Sequence, residues 1–201
     1  MSLPARTLAR NVLRGHRASS DAEVLALALK TLASGQKYFA YELLRAAPRA
    51  LAAAKVSDIR RFAVGMTTWS DVDCFGCFVA GVAWRTGRIA DKEIARFASS
   101  QDRWWRRAAL VATVPLNAKS RGATSAIGDA TRTLAVCTRL LDDRDDMVVK
   151  AMSWALRELA KRDPRAVCAF LSEHGERLAA RVRREVTNKL NTGRKSLRSR
   201  A

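Results

Sequence analysis

The chain has 201 residues, 48% of them apolar, and carries 37 Lys and Arg against 19 Asp and Glu, a formal net charge of +18. The apolar content excludes a disordered polyelectrolyte, and the length suits one domain with a substantial core. The charge points to a polyanion, either nucleic acid or an anionic membrane surface. No apolar run approaches the roughly 20 residues needed to span a bilayer, so a membrane is the weaker partner.

Read in chain order, the pattern is helical throughout, with apolar residues at i, i+3, i+4 and i+7. Met1 to Arg17 is basic but has no continuous apolar stretch, so it reads poorly as a signal peptide, and a cytoplasmic location is expected. Ser20-Asp21-Ala22-Glu23 is a capping box that opens a helix to about Ala33, with Gly35 at its C-cap. Gln36 to Arg45 is a second helix, and Pro48 ends the connection. Ser57 caps a helix to about Val64, and Ser70 starts one to about Thr86. Asp91 opens a helix ending near Ser99. Asp102 caps the next, which Pro115 terminates.

Leu116 to Thr124 is polar and basic and reads as a loop. Helices then run from about Ser125 to Leu141 and from about Arg144 to Lys161. Asp163-Pro164 is an N-cap followed by proline at the first helical position, opening a helix to about His174. Glu176 to about Leu190 is the last helix. Residues 1–190 are expected to form a single domain and 191–201 a flexible basic tail, with Arg194, Lys195, Arg198 and Arg200 and no acid.

Roughly a dozen paired helices suggest an all-α, HEAT-like helical-repeat solenoid, curved with a basic concave face. An internal repeat supports it. Phe39, Asp73, Arg107 and Lys150 occupy equivalent helical positions 34, 34 and 43 residues apart. In helix-pair solenoids the second helix of each pair lines the concave face, so these four residues are expected in one stripe.

The four cysteines are Cys74, Cys77, Cys137 and Cys168. Without an export signal they are expected as reduced thiols. Cys74 and Cys77 form a C-x-x-C, but there is no second pair and the histidines are His16 and His174 alone. They read as small apolar residues one helical turn apart, and neither a metal nor a cofactor is expected.

Three stretches carry chemistry. Trp69 and Asp73 are i, i+4 and share a helical face. Lys150, Trp154 and Arg157 are i, i+4, i+7, beside an inward-packing face of Met152, Leu156 and Leu159. Arg103 and Arg107 are again i, i+4, with Arg106 between them. Basic groups bind phosphates, and indoles stack on bases or pack against sugars. Taken singly, each has a plainer reading. The tryptophans could be core, Asp73 a group favoured by the helix dipole, Arg106-Arg107 a solvated face and Lys150 an inter-repeat contact.

These stretches resemble the AlkD-type DNA alkylation-repair glycosylases, which are built from HEAT-like repeats. The family pattern is a W-D-x-V-D-like segment, then W-x-x-R-A-A, then K-A-x-x-W-x-L-R-E-x-A-K-x-x-P. Here they read Trp69-Ser70-Asp71-Val72-Asp73, Trp104-Trp105-Arg106-Arg107-Ala108-Ala109 and Lys150 to Pro164. Lys37 to Leu44 is similar to the family's early second-helix segment. The resemblance covers roughly Gln36 to Leu190. It departs at Ser70, where an aspartate is common, at Asp71, where the family is small or polar, and in Arg6 to Leu32, which lacks the family's Tyr-Met-Lys and Phe-Leu-Gly-Ile-like segments.

The resemblance implies that Asp73 is the catalytic carboxylate, Trp69 and Trp154 the active-site tryptophans and Arg107 the phosphate-binding arginine. Arg103, Arg106, Lys150 and Arg157 are the further expected DNA contacts. It implies a monomer that binds double-stranded DNA and releases cationic purines such as 7-methylguanine and 3-methyladenine without pulling the base into a pocket. Two other readings stay open: a non-catalytic HEAT-like module for damaged or structured DNA, and a scaffold for an acidic protein partner.

Overall fold

A computed structural model describes residues 3–118 and 128–196 of the chain. Every regular element among the described residues is a helix, and the helices pack in a helical-repeat arrangement. The chain divides into two compact units, Met1–Ala90 and Asp91–Ala201.

The first unit contains α1 (Leu3–Gly15), α2 (Asp21–Ala33), α3 (Lys37–Ala46), a 3₁₀ segment (Pro48–Ala53), α4 (Val56–Ala63) and α5 (Trp69–Phe75). From α5 the helix continues without a break through a π-turn (Gly76–Ala80) into α6 (Gly81–Arg85). The Ser20 capping box forms as expected: the Ser20 amide donates to Glu23 Oε2 at 2.6 Å, and the Glu23 amide donates to Ser20 Oγ at 3.3 Å. Gly35 sits just past the end of α2 at φ +81°, a conformation open to glycine at little cost. Pro48 does not merely end a connection. It opens the 3₁₀ segment, where its missing N–H would have had no partner anyway.

Helix α3 is the hub of this unit and packs against α1, α2, the 3₁₀ segment, α5 and the π-turn. Its buried face is Ala40, Tyr41, Leu43 and Leu44. The Tyr41 hydroxyl donates to the Phe62 carbonyl at 2.7 Å and ties α3 to the end of α4. Burial pushes that phenol well above its ordinary value, so it stays a donor at any working pH.

The second unit contains α7 (Asp91–Ala98), α8 (Arg103–Val111), α9 (Val114–Asn117), α10 (Ala130–Arg139), α11 (Asp146–Leu159), α12 (Pro164–His174) and α13 (Ala180–Thr192). Helix α11 is its hub and packs against α8, α9, α10, α12 and α13. Its buried residues include Val148, Met152, Ala155, Leu156 and Leu159, as the periodicity predicts. The caps at Asp102 and Asp163 form as expected. Pro115 again opens a helix, the single turn α9, rather than terminating α8 for good. The expected loop and the start of the helix expected from Ser125 fall partly on residues 119–127, outside the described residues. Helix α10 begins at Ala130. The tail expected from residue 191 begins as the last two residues of α13. Residues 197–201 also lie outside the description.

Asn117 joins the two sides of that interval. Buried, it donates to the Thr113 carbonyl at 3.1 Å and to Thr133 Oγ1 at 2.9 Å, and it accepts from the Asp129 amide at 2.9 Å. Gly128 passes so close that a Cβ there would run into Asn117 Oδ1 and lie 2.8 Å from Arg162 Cβ. Gly128→Ala is therefore expected to destabilise the protein by about 1–3 kcal/mol, the usual range for overpacking. Urea unfolding checks this; an unchanged midpoint would show that the junction gives way freely.

Candidate functional site

In the first unit the site is built around the start of α5. Thr68 is its N-cap, in an extended conformation, and its hydroxyl accepts from the Asp71 amide at 3.2 Å. The cap sits two residues ahead of the Ser70 start expected from sequence. It makes Trp69 the first helical residue, where no preceding turn covers the indole, and Trp69 is 58% exposed. Asp73 follows one turn later on the same face and is half-buried. Asp71, the other carboxylate of the segment, is only 8% exposed and lies among the buried residues of the helix. The structure thus separates two aspartates that look interchangeable in sequence: one faces inward, and one stands beside the exposed indole.

Three residues after Asp73 the helix changes pitch. Gly81 donates its amide to the Gly76 carbonyl, an i→i+5 bond in place of i→i+4. Such π-turns are rare and concentrate at functional sites. Cys74 and Cys77 flank its start. Burial, then the negative charges of Glu42, Asp73 and Asp71, push the Cys74 thiol up to about 12, while Arg45 opposes them. A thiol held that high does not ionise near neutral pH and has no thiolate character to offer redox or metal chemistry. Among the described residues no cluster of three or more His, Cys, Asp or Glu could hold a metal.

In the second unit the cations divide into two kinds. Arg106 and Arg107 are structural in their contacts. Arg106 Nε donates to Asp143 Oδ2 at 2.7 Å, and its Nη1 reaches the Ser100 and Gln101 carbonyls at 3.1 and 2.7 Å. It therefore closes the segment before α8 onto the segment before α11. Arg107 is 5% exposed, and its Nη1 donates to the Met147 carbonyl at 2.6 Å, in the first turn of α11. Arg103 and Lys150 are exposed. Arg103 lies over the Trp104 ring at 4.7 Å and 3.6 Å from Asp145, while Lys150 pairs with Asp146 at 2.6 Å.

Trp154 is half-buried on α11, one turn beyond Lys150. Arg157, one turn further, is largely covered. It donates to Ser153 Oγ at 3.2 Å and lies 3.9 Å from Glu185, and Ser153 itself donates to Glu185 Oε2 at 2.6 Å. That link fastens α11 to α13. Trp105 is taken up by packing, its ring 4.7 Å from Phe97 of α7.

The family profile described as DNA alkylation repair enzyme matches residues 4–190. The chain belongs to the DNA alkylation repair enzyme family. No curated protein matches it. Membership makes DNA the substrate of the family's repair chemistry, and the AlkD-type resemblance read from the three motifs agrees with it. None of the helices among the described residues is long and apolar enough to cross a membrane.

One unusual residue of this alkylation repair enzyme escapes sequence reasoning altogether. Glu42 lies on α3 and is 1% exposed, with one carboxylate oxygen paired to Arg45 at 3.1 Å and the other without a hydrogen-bond partner among the described residues. In sequence it is an ordinary helical glutamate three residues before an arginine, and nothing there marks it as buried.

The Arg106 contacts set a stability test. Arg106→Ala leaves Asp143 and two backbone carbonyls short of a donor in a partly covered place. It is expected to cost about 1–3 kcal/mol. Thermal unfolding measures it; a loss indistinguishable from zero would mean that the network is only a surface ion pair.

Proposed function

We propose that this DNA alkylation repair enzyme is a DNA glycosylase, a monomer acting on double-stranded DNA, that hydrolyses the N-glycosidic bond of cationic alkylated purines such as 7-methylguanine and 3-methyladenine. The observation that carries the reading is the face of α5: an exposed indole, Trp69, with the carboxylate of Asp73 one turn behind it, in a protein of charge +18. The family match supports it.

The chemistry suits these groups. An N-alkylated purine already carries a positive charge, so it can leave without a general acid. As the C1′–N bond breaks, its electron pair goes to the base, which departs neutral, and the sugar takes on oxocarbenium character. A carboxylate at C1′ stabilises that charge and orients a water. The water oxygen bonds to C1′, and its proton passes to the carboxylate and on to solvent. An indole face adds cation–π attraction of roughly 0.5–2 kcal/mol to the charged sugar or base. Trp154 takes the second aromatic role in this reading. With a carboxylate and aromatic faces as its catalytic groups, the site has no need to draw the base into a pocket.

Phosphate binding falls first on Arg103 and Lys150, whose side chains are exposed. Both already face a carboxylate, so binding exchanges one anion for another. Arg107 serves in this reading from a buried anchor: its bond to Met147 holds α8 against the start of α11, and any phosphate contact is made by the edge of a fixed guanidinium. Arg106 and Arg157 support the surface from beneath.

The burial of Arg107 favours one competing reading, a DNA-binding module of the same fold without chemistry. Asp73→Asn separates the two. The substitution removes a charge at nearly constant shape. Single-turnover release of base from methylated duplex is expected to fall at least about 100-fold, while the dissociation constant for the same duplex stays within about three-fold. Equal release by both proteins would overturn the glycosylase assignment.

A further inference from the structure

Glu42 poses a problem of cost. A carboxylate taken out of water is expensive unless its oxygens are satisfied, and an acceptor left unmade is the costliest part. Glu42 is almost wholly buried on α3, and Oε2 has no hydrogen-bond partner among the described residues. This protein has 37 basic residues, and among the described ones Arg45 alone meets it, on the other oxygen.

The position of Glu42 suggests what the charge is for. Helix α3 packs against α5 and the π-turn. Arg45, the partner of Glu42, reaches over to the π-turn and lies 4.8 Å above the Phe78 ring. Glu42 is the foremost charge acting on the Cys74 thiol, ahead of Asp73 and Asp71. Cys74 directly follows Asp73 in the chain, so the charges of three carboxylates are felt at one turn of α5. Arg45 answers one of them, through Glu42 Oε1 at 3.1 Å, with its guanidinium over the Phe78 ring. In a protein of charge +18, three carboxylates thus place negative charge at the helix that carries Trp69 and Asp73.

We propose that Glu42 is a specificity residue of the site, a buried negative charge that selects cationic nucleotides through its field without touching them. This rests on reading Asp73 as the carboxylate at the sugar. Asp73 acts at the reacting atoms. Glu42 sets the potential there, lowering the energy of a charged base and an oxocarbenium sugar relative to neutral undamaged DNA. Burial strengthens the effect, because water and salt screen a buried charge far less than an exposed one.

The test uses the full chain and two duplexes, one with a cationic pyrrolidine in place of a deoxyribose and one with the neutral tetrahydrofuran analogue. Wild type is expected to bind the cationic duplex more tightly. Glu42→Gln, which keeps the shape and an acceptor for Arg45, is expected to reduce that preference about five- to ten-fold while leaving the tetrahydrofuran affinity unchanged or tighter. Glu42→Asp should keep the preference. A purely structural Glu42 would weaken both duplexes together.

If Glu42→Gln does not fold, as judged by circular dichroism, Arg45→Gln decides: removing the opposing charge should increase the cationic preference. An unchanged preference in the variant that folds, or no preference in wild type, overturns the proposal. The glycosylase reading fails separately, if wild type prefers the cationic duplex but releases no base.

Discussion

Excess positive charge is the constraint to which the fold answers. With 37 basic residues and 19 acidic ones, any compact arrangement brings cations close together. The structure meets this by placing carboxylates where helices begin and end. The run from Asp142 to Asp146 shows it best. Asp142 pairs with Arg177, Asp143 with Arg106, Asp145 with Arg103, and Asp146 with both Lys150 and Arg181. Four acids at the entrance to α11 thus gather cations from α8, α11, α13 and the segment before α13. Asp145 also caps α11, its carboxylate accepting from the Met147 amide. Asp142 and Asp146 are held below their ordinary carboxylate range, chiefly by the hydrogen bonds they accept from Arg177 and Lys150. The pairs of Asp142 and Asp146 are solvent-exposed, so each stabilises weakly; their larger effect is to fix where the cations stand.

Seen this way, the two kinds of carboxylate are distinct. Those at helix entrances neutralise and organise the basic surface. Three others in the first unit, Glu42, Asp71 and Asp73, act together on the Cys74 thiol of α5, opposed by Arg45. On the proposed function, a polyanion is drawn by the whole molecule and a cation is favoured at one place on it. That contrast is what the proposed release of positively charged bases from a negatively charged polymer needs. Steering and selection then come from charges of opposite sign.

The helical class was legible in the periodicity. Several boundaries were legible in side chains that act locally: the Ser20–Glu23 box, the Asp102 cap, and Asp163 before Pro164. These signals are read within four residues, so a sequence carries them openly. Prolines were harder, because a proline that cannot continue one helix can start the next, as Pro48 and Pro115 do. The π-turn, which packs against α3 and α4, was not legible, because no local pattern in its sequence marks it.

The site was legible in part. Trp69 and Asp73 stand on one face, as their spacing requires. The choice of Asp73 over Asp71 by that spacing agrees with their difference in burial. The arginines were less legible. Arg106 meets Asp143 across 37 residues of sequence and Arg107 meets Met147 across 40, and no local pattern announces either. Glu42 was invisible for the same reason: burial of a charge is decided by the elements that pack over it.

The proposed reaction is cleavage of the bond between a cationic purine and its sugar. The most direct measurement is the rate at which wild-type protein, in excess, frees 7-methylguanine from a duplex carrying one such lesion, with free base separated by chromatography. Single-exponential release well above the spontaneous rate is expected, leaving an abasic site, with no release of undamaged guanine. Tight binding of the duplex with release no faster than in buffer would contradict it.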